Sequence, residues 1–296
     1  MGANLKEVRD RIKSVQGTQQ ITKAMKLVAA AKLRRAQDSI TQLRPYSDKL
    51  DEMMRNILTN LGSDVSSSYG EERNVENACV VVITSNKGLC GAFNTNIIKQ
   101  AVAVIDNKYA AQRKSGNLAI LCIGKKGAEY FKKYYSDCNI MTDYTNLFTD
   151  LSFDNVSKVS RRLLMSFEDG KFDSIDVAYG RFKNAAVQIP TLEQYLPVKK
   201  VEADPAHKTS VDYIFEPDKA SLLNHLIPSI LQTQFQKFLL DTHASEHGAR
   251  MTAMEQATDN ANELLNDLII MYNKARQETI TNEILEIVGG AAALEG

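Results

Sequence analysis

The first sixty residues carry apolar side chains at steps of three and four, the spacing of one face of an α-helix. A stripe sustained over about eight turns or more exceeds an ordinary globular helix and is typical of a coiled coil. Because the stripe continues on both sides of Pro45, we expect a bend there rather than an end. Its members are Leu5, Val8, Ile12, Val15, Ile21, Met25, Val28, Leu33, Ala36, Ile40, Leu43, Leu50, Met54, Ile57 and Leu61.

A second long stripe follows Pro228, beyond which the chain has no proline and, before Gly289, only one glycine, Gly248. A helix over residues 218–288 would span roughly 105 Å, against roughly 90 Å for the first helix. Placed side by side and antiparallel, the two cover each other's stripes, and the last overshoots by roughly 15 Å. This stripe comprises Leu223, Leu226, Ile230, Phe235, Phe238, Met251, Met254, Ala261, Leu265, Leu268, Tyr272, Ala275, Ile284 and Ile287.

The period changes between the two stripes. Short β-branched runs at 78–85, 118–124 and 174–182 predict buried parallel strands, and helix-like stretches lie at about 92–113, 125–135 and 155–168. A further run at 187–197 contains Pro190, which favours an edge strand. The fold class is therefore mixed α+β and α/β: a long antiparallel coiled coil of N- and C-terminal helices with an inserted Rossmann-like α/β domain.

These patterns divide the chain into five segments. Residues 1–61 form the N-terminal coiled-coil helix, 62–77 a Ser-rich polar linker, and 78–202 the α/β domain. Residues 203–217 form a second polar linker, and 218–296 the C-terminal coiled-coil helix and its tip. An apolar helix end that stands alone needs a socket on another protein.

Charge is balanced in total but uneven along the chain. Lys and Arg number 36, as do Asp and Glu. Residues 9–35 carry eight basic side chains against one acidic, whereas acidic residues dominate beyond His243, so the two ends are expected to meet. We find no run of roughly 20 apolar residues and no targeting segment, which predicts a cytoplasmic protein. No C-x-x-C spacing occurs, so the cysteines are interpreted as reduced structural thiols.

Two motifs suggest ligands, and we predict neither a cofactor nor a metal from them. The run SNKGLCGAFN (85–94) follows a strand and opens a helix, as phosphate sites do, but it matches neither glycine-rich phosphate motif. Gly88 and Gly91 would instead permit a tight turn. His243 and His247 have i, i+4 spacing but no H-E-x-x-H arrangement and no evident third ligand. We likewise predict no catalytic residues.

The basic stretch 9–35 leaves three interpretations open. It could bind nucleic acid as a basic helix, although it has no aromatic side chain for stacking on bases. It could be a solvated face. It could also contact an acidic rim on a surrounding protein, which charge complementarity favours.

Four segments, in order, resemble one known family over nearly the whole chain. They are RIKSVQGTQQITKAMKLVAAAKLRRAQ (11–37), ITSNKGLCGAFNTNI (83–97), ASEHGARMTAMEQATDNA (244–261) and YNKARQETITNEILEIVGGAAA (272–293). The sequence resembles the gamma subunit of rotary ATP synthases. It departs from that family at Asn86, where Asp is frequent, and at residues 294–296, which extend past the usual small-residue finish.

The resemblance implies a non-catalytic central rotor stalk that couples ion flow to ATP synthesis or hydrolysis. Its partners would be the alpha and beta subunits of the catalytic head, the epsilon subunit, and the membrane rotor ring of c subunits. The α/β domain would be a foot against epsilon and that ring. No nucleic acid and no small-molecule substrate are expected. The location implied is peripheral, at the cytoplasmic face of a bacterial inner membrane.

The resemblance also implies two sets of contact residues. An apolar bearing would hold a tip at Ile284, Ile287 and Val288. The contacts expected with the catalytic head are Lys23, Met25, Lys26, Arg250, Gln277, Thr281 and Glu283.

From the residues alone, the alternative functions are a basic coiled-coil nucleic-acid-binding protein and a nucleotide-binding α/β enzyme.

Overall fold

The computed structural model of the protein describes residues 5–60, 68–70, 73–198 and 219–295. They pack as two compact units, one from residues 30–250 and one from the two ends of the chain, up to 29 and from 251. The predicted linker 203–217 and residues 62–67, 71 and 72 of the predicted linker 62–77 lie outside the described residues. The predicted fold class is confirmed, whereas the five-segment division stays a prediction. Within the described residues, no helix combines the length and apolarity needed to cross a membrane.

Two helices of unusual length carry the terminal segments. Helix α1 runs over Leu5–Asn60 and continues through Pro45. Helix α6 runs over Lys219–Glu295 and contains Pro228. Both were predicted from the three- and four-residue spacing of their apolar side chains.

A five-stranded sheet forms the middle of the 30–250 unit. Its strands are β1 (Ala78–Ile83), β2 (Leu118–Ile123), β3 (Asn139–Met141), β4 (Ser174–Phe182) and β5 (Gln188–Leu196). Their spatial order is β3-β2-β1-β4-β5. Strands β1 to β4 are parallel to one another, and β5 runs antiparallel to β4 at the edge where Pro190 was expected to place it.

Each central strand is buried on both sides, because helices cover both faces of this sheet. On one face, Val80 and its alternating neighbours pack against α2 (Phe93–Asn107) and α4 (Lys125–Tyr134). On the other, Val81 and its neighbours pack against α5 (Phe153–Glu168) and the part of α6 that includes Phe235 and Phe238. Alternation of side chains along the strands thus divides the core into two apolar clusters.

The part of α6 within this unit lies directly on strand β4. Thr242 Oγ1 accepts from the Gly180 amide at 3.3 Å, and Ser245 Oγ donates to the Gly180 carbonyl at 3.0 Å. A Cβ on Gly180 would come within 2.7 Å of the Phe93 ring of α2 and 3.3 Å of Ser245 Cβ of α6, so a larger residue would crowd both helices. Residues 227–250 of α6 are therefore part of the α/β core rather than a separate rod.

In this unit the sequence analysis missed one strand, and one of its expectations is wrong. Strand β3 was not predicted, because three residues are too few to show a period. The helix expected at 92–113 is broken: α2 ends at Asn107, and a short helix α3 spans Ala110–Lys114. At the break, Tyr109 turns inward, and its hydroxyl lies 2.7 Å from Ser174 Oγ and 2.8 Å from Asp176 Oδ2.

The unit formed by the chain ends is an antiparallel helix pair with a seven-residue repeat. On α6 the buried positions are Met254, Ala261, Leu268 and Ala275, and on α1 they are Val8, Thr22 and Ala29, with Val15 half-buried between them. A strict seven-residue repeat is the signature of a left-handed coiled coil. The predicted stripe is wrong at two of its members: Ile21 is 62% exposed and Val28 is 58% exposed.

Candidate functional site

Four polar contacts fix the register of the helix pair in the end unit. The outermost is Arg9 Nη2 donating to the Tyr272 hydroxyl at 2.9 Å, and the innermost is Lys26 Nζ to Glu255 Oε1 at 2.6 Å. From one to the other, α1 moves from residue 26 to 9 while α6 moves from 255 to 272, so the helices advance together. The two contacts between them join Gln19 to Asn262 and Thr258 to Thr22. The expected contact between the basic and the acidic end of the chain is observed in the ion pair of Lys26 with Glu255.

The α1 residues expected to contact a catalytic head differ in their surroundings. Lys23 is exposed, Met25 is half-buried, and Lys26 already pairs with Glu255 of the same chain. An exposed apolar patch lies around them, formed by Ile21, Leu27 and Val28. Sequence reasoning missed this patch because it assigned Ile21 and Val28 to the buried stripe. The seven-residue step from Val8 to Val15, carried on to Thr22 and Ala29, is the signal that would have revealed it.

The C-terminal end of α6 is exposed on all sides over the residues that the structure describes. Every side chain from Arg276 to Ala291 is exposed, including those of Gln277, Thr281 and Glu283. Thr281 Oγ1 donates to the Gln277 carbonyl at 2.9 Å, a bond within its own helix. The apolar members of this surface, which we call the tip patch, are Ile280, Ile284, Leu285, Ile287 and Val288. A continuous apolar surface of this kind marks a contact with another protein.

Arg250 lies in the other unit and is only 9% exposed. Its Nη1 donates to Glu246 Oε1 at 2.7 Å, and its Nη2 lies 3.0 Å from the Lys87 carbonyl and 3.3 Å from that of Gly88. The guanidinium thus joins α6 to the turn after β1. Among the residues expected to touch the catalytic head, Arg250 differs from the exposed ones because its guanidinium is buried and bonds to both α6 and this turn.

The turn after β1 is held by its own side chains. Ser85 N–H donates to Asn94 Oδ1 at 2.9 Å, and Ser85 Oγ donates to the Lys87 carbonyl at 2.7 Å. Leu89 takes a positive φ of 61° and is 66% exposed, an arrangement that costs about 1–2 kcal/mol for a non-glycine residue. The Ser85 amide is therefore bonded within the turn itself. Asn86 has a defined role here, because its Oδ1 accepts from the Lys125 amide that begins α4, at 3.1 Å.

His243, His247 and Arg250 form a chain of hydrogen bonds along α6. Arg250 Nη1 lies 3.4 Å from His247 Nδ1, and His247 Nε2 lies 3.1 Å from His243 Nε2. Arginine can only donate, so His247 carries its proton on Nε2 and donates it to His243. Burial lowers the pKa of His243 to about 4 and that of His247 to about 3. Within the described residues, no group of three or more His, Cys, Asp or Glu side chains is arranged to hold a metal ion.

A second buried charge on α6 is Asp241, which is 5% exposed. Burial raises its pKa to about 6, although Arg44, Lys237 and Arg181 act to lower it. No hydrogen-bond partner within the described residues reaches its Oδ1. This carboxyl is therefore a site of pH-dependent stability in the 30–250 unit.

The geometry of the tip patch and of the patch around Leu27 points to contact surfaces. The tip patch and the patch around Leu27 expose apolar side chains that a stable isolated chain would bury. Two long terminal helices that pair with each other, a sheet domain inserted between them in sequence, and these patches define a coiled-coil subunit of a larger assembly.

Comparison with known proteins identifies the family. A family model described as ATP synthase matches residues 4–294. The ATP synthase gamma chain of Christiangramia forsetii is 51% identical over 294 residues, covering 99% of this chain and 100% of the relative. That of Cytophaga hutchinsonii is 50% identical, covering 98% and 99%. The chain belongs to the ATP synthase gamma chain family.

Solved structures share the fold. A chain of the Euglena gracilis mitochondrial ATP synthase, described as OSCP/F1/c-ring in rotational state 3, has a TM-score of 0.68 at 23% identity, over 98% of this chain and 94% of that chain. A chain from the central stalk/c-ring structure of the Tetrahymena thermophila enzyme has a TM-score of 0.57 at 22% identity, over 80% and 99%. At such identities the likeness supports the fold alone.

Proposed function

We propose that this chain is the rotating central stalk of a bacterial ATP synthase and contains no catalytic site of its own. Its partners would be the alpha and beta subunits of the catalytic head, the epsilon subunit, and the membrane ring of c subunits. It would sit peripherally at the cytoplasmic face of the inner membrane. Membership of the gamma chain family supports this assignment.

The observation that carries the proposal is the exposed C-terminal end of α6. Beyond Ala275, the last buried seam position, sixteen consecutive residues from Arg276 to Ala291 present every side chain to solvent. Isoleucine, leucine and valine exposed in this way favour insertion into an apolar socket. Ile284, Ile287 and Val288 would form the bearing contact there, and Gln277, Thr281 and Glu283 would face the head just before it.

A stalk of this kind would act through asymmetry. A ring of three like catalytic sites is equivalent until an asymmetric body lies on its axis. The α1 patch and the polar face around Lys23 would meet each catalytic subunit differently, so each would have a different nucleotide affinity. Turning the stalk exchanges those affinities. By linkage the coupling works in both directions, so ring rotation drives synthesis and hydrolysis turns the stalk back.

Arg250 would act differently from the exposed contact residues. Because its guanidinium bonds the Lys87 and Gly88 carbonyls, it would hold the turn that displays Leu89 rather than reach a partner itself. Lys26 would similarly have to exchange its pairing with Glu255 for a partner carboxylate. Individual contacts of modest strength suit a part that must move past its neighbours.

The coupling is tested with the Gln277→Ala, Thr281→Ala double variant in the assembled enzyme. Both side chains are exposed, so chain stability should stay within about 0.5 kcal/mol. We expect ATPase turnover of the head, and ATP-driven ion pumping into membrane vesicles, to fall together. Nucleotide binding by isolated catalytic subunits should not change. Unaltered turnover would remove these residues from the coupling path.

The matched control is Asn273→Ala on the same exposed helix, which should leave both activities unchanged. The same purified chain addresses the two alternatives. Binding of ATP in equilibrium dialysis would favour a nucleotide-binding enzyme. Salt-dependent retention on duplex DNA would favour a nucleic-acid-binding protein.

A further inference from the structure

One edge of the sheet lies open within the described residues. Strand β3 is the last in the order β3-β2-β1-β4-β5, and it pairs only with β2. Its outer side, over Asn139–Met141, therefore presents backbone N–H and C=O groups without a strand partner in the described chain. Such an edge is a template for an added strand.

An apolar cavity of about 550 Å³ lies against this edge. Leu121 and Met141 are register partners on β2 and β3, and both line the cavity, on the sheet face that α5 covers. Ile140, which precedes Met141 on β3, lies on the other face of the sheet and packs into the opposite core cluster. Val159 and Leu163 of α5 form another wall. The cavity size is that of sites which bury a small ligand or a few side chains.

The rim of the cavity is cationic. Lys158, Arg161, Arg162 and Lys171 all line it. Arg162 pairs with Asp143 at 2.8 Å and Lys171 with Asp169 at 3.0 Å. In the part of the chain that the structure describes, no carboxylate pairs with Lys158 or Arg161. Met165, on the same helix face, is 61% exposed.

We propose that an extended segment of a partner protein adds as a sixth strand to the outer edge of β3, with apolar and acidic residues at every second position so that both kinds of side chain lie on the face that α5 covers. Its apolar side chains would enter the cavity over Leu121 and Met141. Its carboxylates would pair with Lys158 and Arg161. Backbone bonds supply affinity in such strand addition, and the alternate side chains supply specificity. The proposal stands independently of the function assigned to the long helices.

The test uses the full chain and two labelled synthetic peptides, one acidic with the repeat Val-Ser-Glu-Ser and one basic with the repeat Val-Ser-Lys-Ser, which place valine and the charged residue on the same face of an added strand. The acidic peptide should bind saturably in fluorescence anisotropy and should slow amide hydrogen exchange at residues 139–141. The basic peptide should not bind. In the Lys158→Glu/Arg161→Glu double variant, the affinity for the acidic peptide should fall by about tenfold or more, because the attraction between the peptide's carboxylates and the basic side chains becomes repulsion.

The matched control is Lys132→Glu/Lys133→Glu, an equal charge reversal on exposed residues of α4, on the opposite sheet face. It should leave binding unchanged. Equal losses in both double variants, or equal binding of both peptides, would mean general charge attraction and would overturn the proposal.

Three further outcomes would also contradict it. Binding without protection at 139–141 would mean that the cavity holds ligands without strand addition. A dimer of this chain that K158E/R161E abolishes would make a second copy the occupant. If binding of the acidic peptide does not saturate up to about 1 mM, the edge lacks the proposed affinity. Protection of 139–141 in the complex purified from its own cells, relative to the free chain, would support it.

Discussion

Replacing Arg250 with alanine should destabilise the 30–250 unit in a pH-dependent way. Arg250 and Glu246 are 10% and 9% exposed at their side chains and lie 2.7 Å apart. Removing the arginine leaves a carboxylate buried without its counter-charge, which costs about 3–5 kcal/mol in buried pairs. The Lys87 and Gly88 carbonyls, which also lose a donor, lie in an exposed turn and can bond to water, so they add little.

The sign of the pH dependence follows from the carboxyl group. Burial raises the pKa of Glu246, and the charge of Arg250 acts against that rise. Without Arg250 the folded-state pKa rises further above the unfolded value of about 4.3. Between those two values the folded state binds more protons, so stability falls as pH increases. The deficit of Arg250→Ala relative to the wild type should therefore be larger at pH 8 than at pH 5, by roughly a factor of two.

Urea unfolding followed by tyrosine fluorescence suits this measurement. The chain has 11 tyrosines and no tryptophan, and only Tyr272 lies beyond residue 250. A loss of about 3 kcal/mol would lower the urea midpoint by about 1 M or more. Adding Glu246→Gln to the variant should remove the extra loss at pH 8. A midpoint shift under roughly 0.3 M, or equal shifts at both pH values, would refute the reasoning.

Three further predictions concern other parts of the chain. Asp241→Asn should be more stable than the wild type by about 2–3 kcal/mol at pH 8, where its raised pKa of about 6 penalises the ionised form, and the gain should vanish near pH 4 in urea titrations. Leu268→Ala, at a buried seam position, should cost about 2–4 kcal/mol and speed amide exchange across 251–275, whereas Leu264→Ala, 46% exposed, should cost under about 1 kcal/mol. Ile287→Ser should leave the melting temperature unchanged but lower turnover of the assembled ATPase; a changed melting temperature would show that the tip patch is packed in the free chain.

Periodicity in the sequence was enough to predict both long helices and the sheet. Runs of β-branched residues that are buried on both faces have few alternatives to a central strand, and 174–182 was predicted to the residue. Strand β3 could not be found in this way. Its three residues form a strand because β2 offers a partner edge, which is a tertiary effect invisible to a local pattern.

The inward face of α1 was predicted less well, because apolar character was equated with burial. In the helix pair, close approach favours small side chains, so Thr22 and Ala29 occupy the seam while Ile21 and Val28 face solvent. A chain that belongs to an assembly keeps some large apolar residues for its partners. Pattern reading cannot separate those from residues buried within the chain, unless it follows one fixed repeat.

Arg250 illustrates a different limit. Its side chain could reach a partner or its own chain, and nothing in a helical segment distinguishes the two. The bond to the Lys87 carbonyl joins residues 163 positions apart, so only the folded chain reveals it. The exposed positions Gln277, Thr281 and Glu283 keep their predicted roles, which remain to be tested in the assembly.

The register of the end helices has a mechanical consequence. Since the buried side chains repeat every seven residues, a slip by one repeat would leave the seam almost as well filled as before. The polar contacts forbid that slip: Lys26 would lose Glu255 and face Asn262, and Gln19 would lose Asn262 and face Ile269. Tension along the pair would therefore be borne as stiffness instead of being relaxed by sliding, because polar contacts along its length resist a shift that the buried apolar side chains would permit.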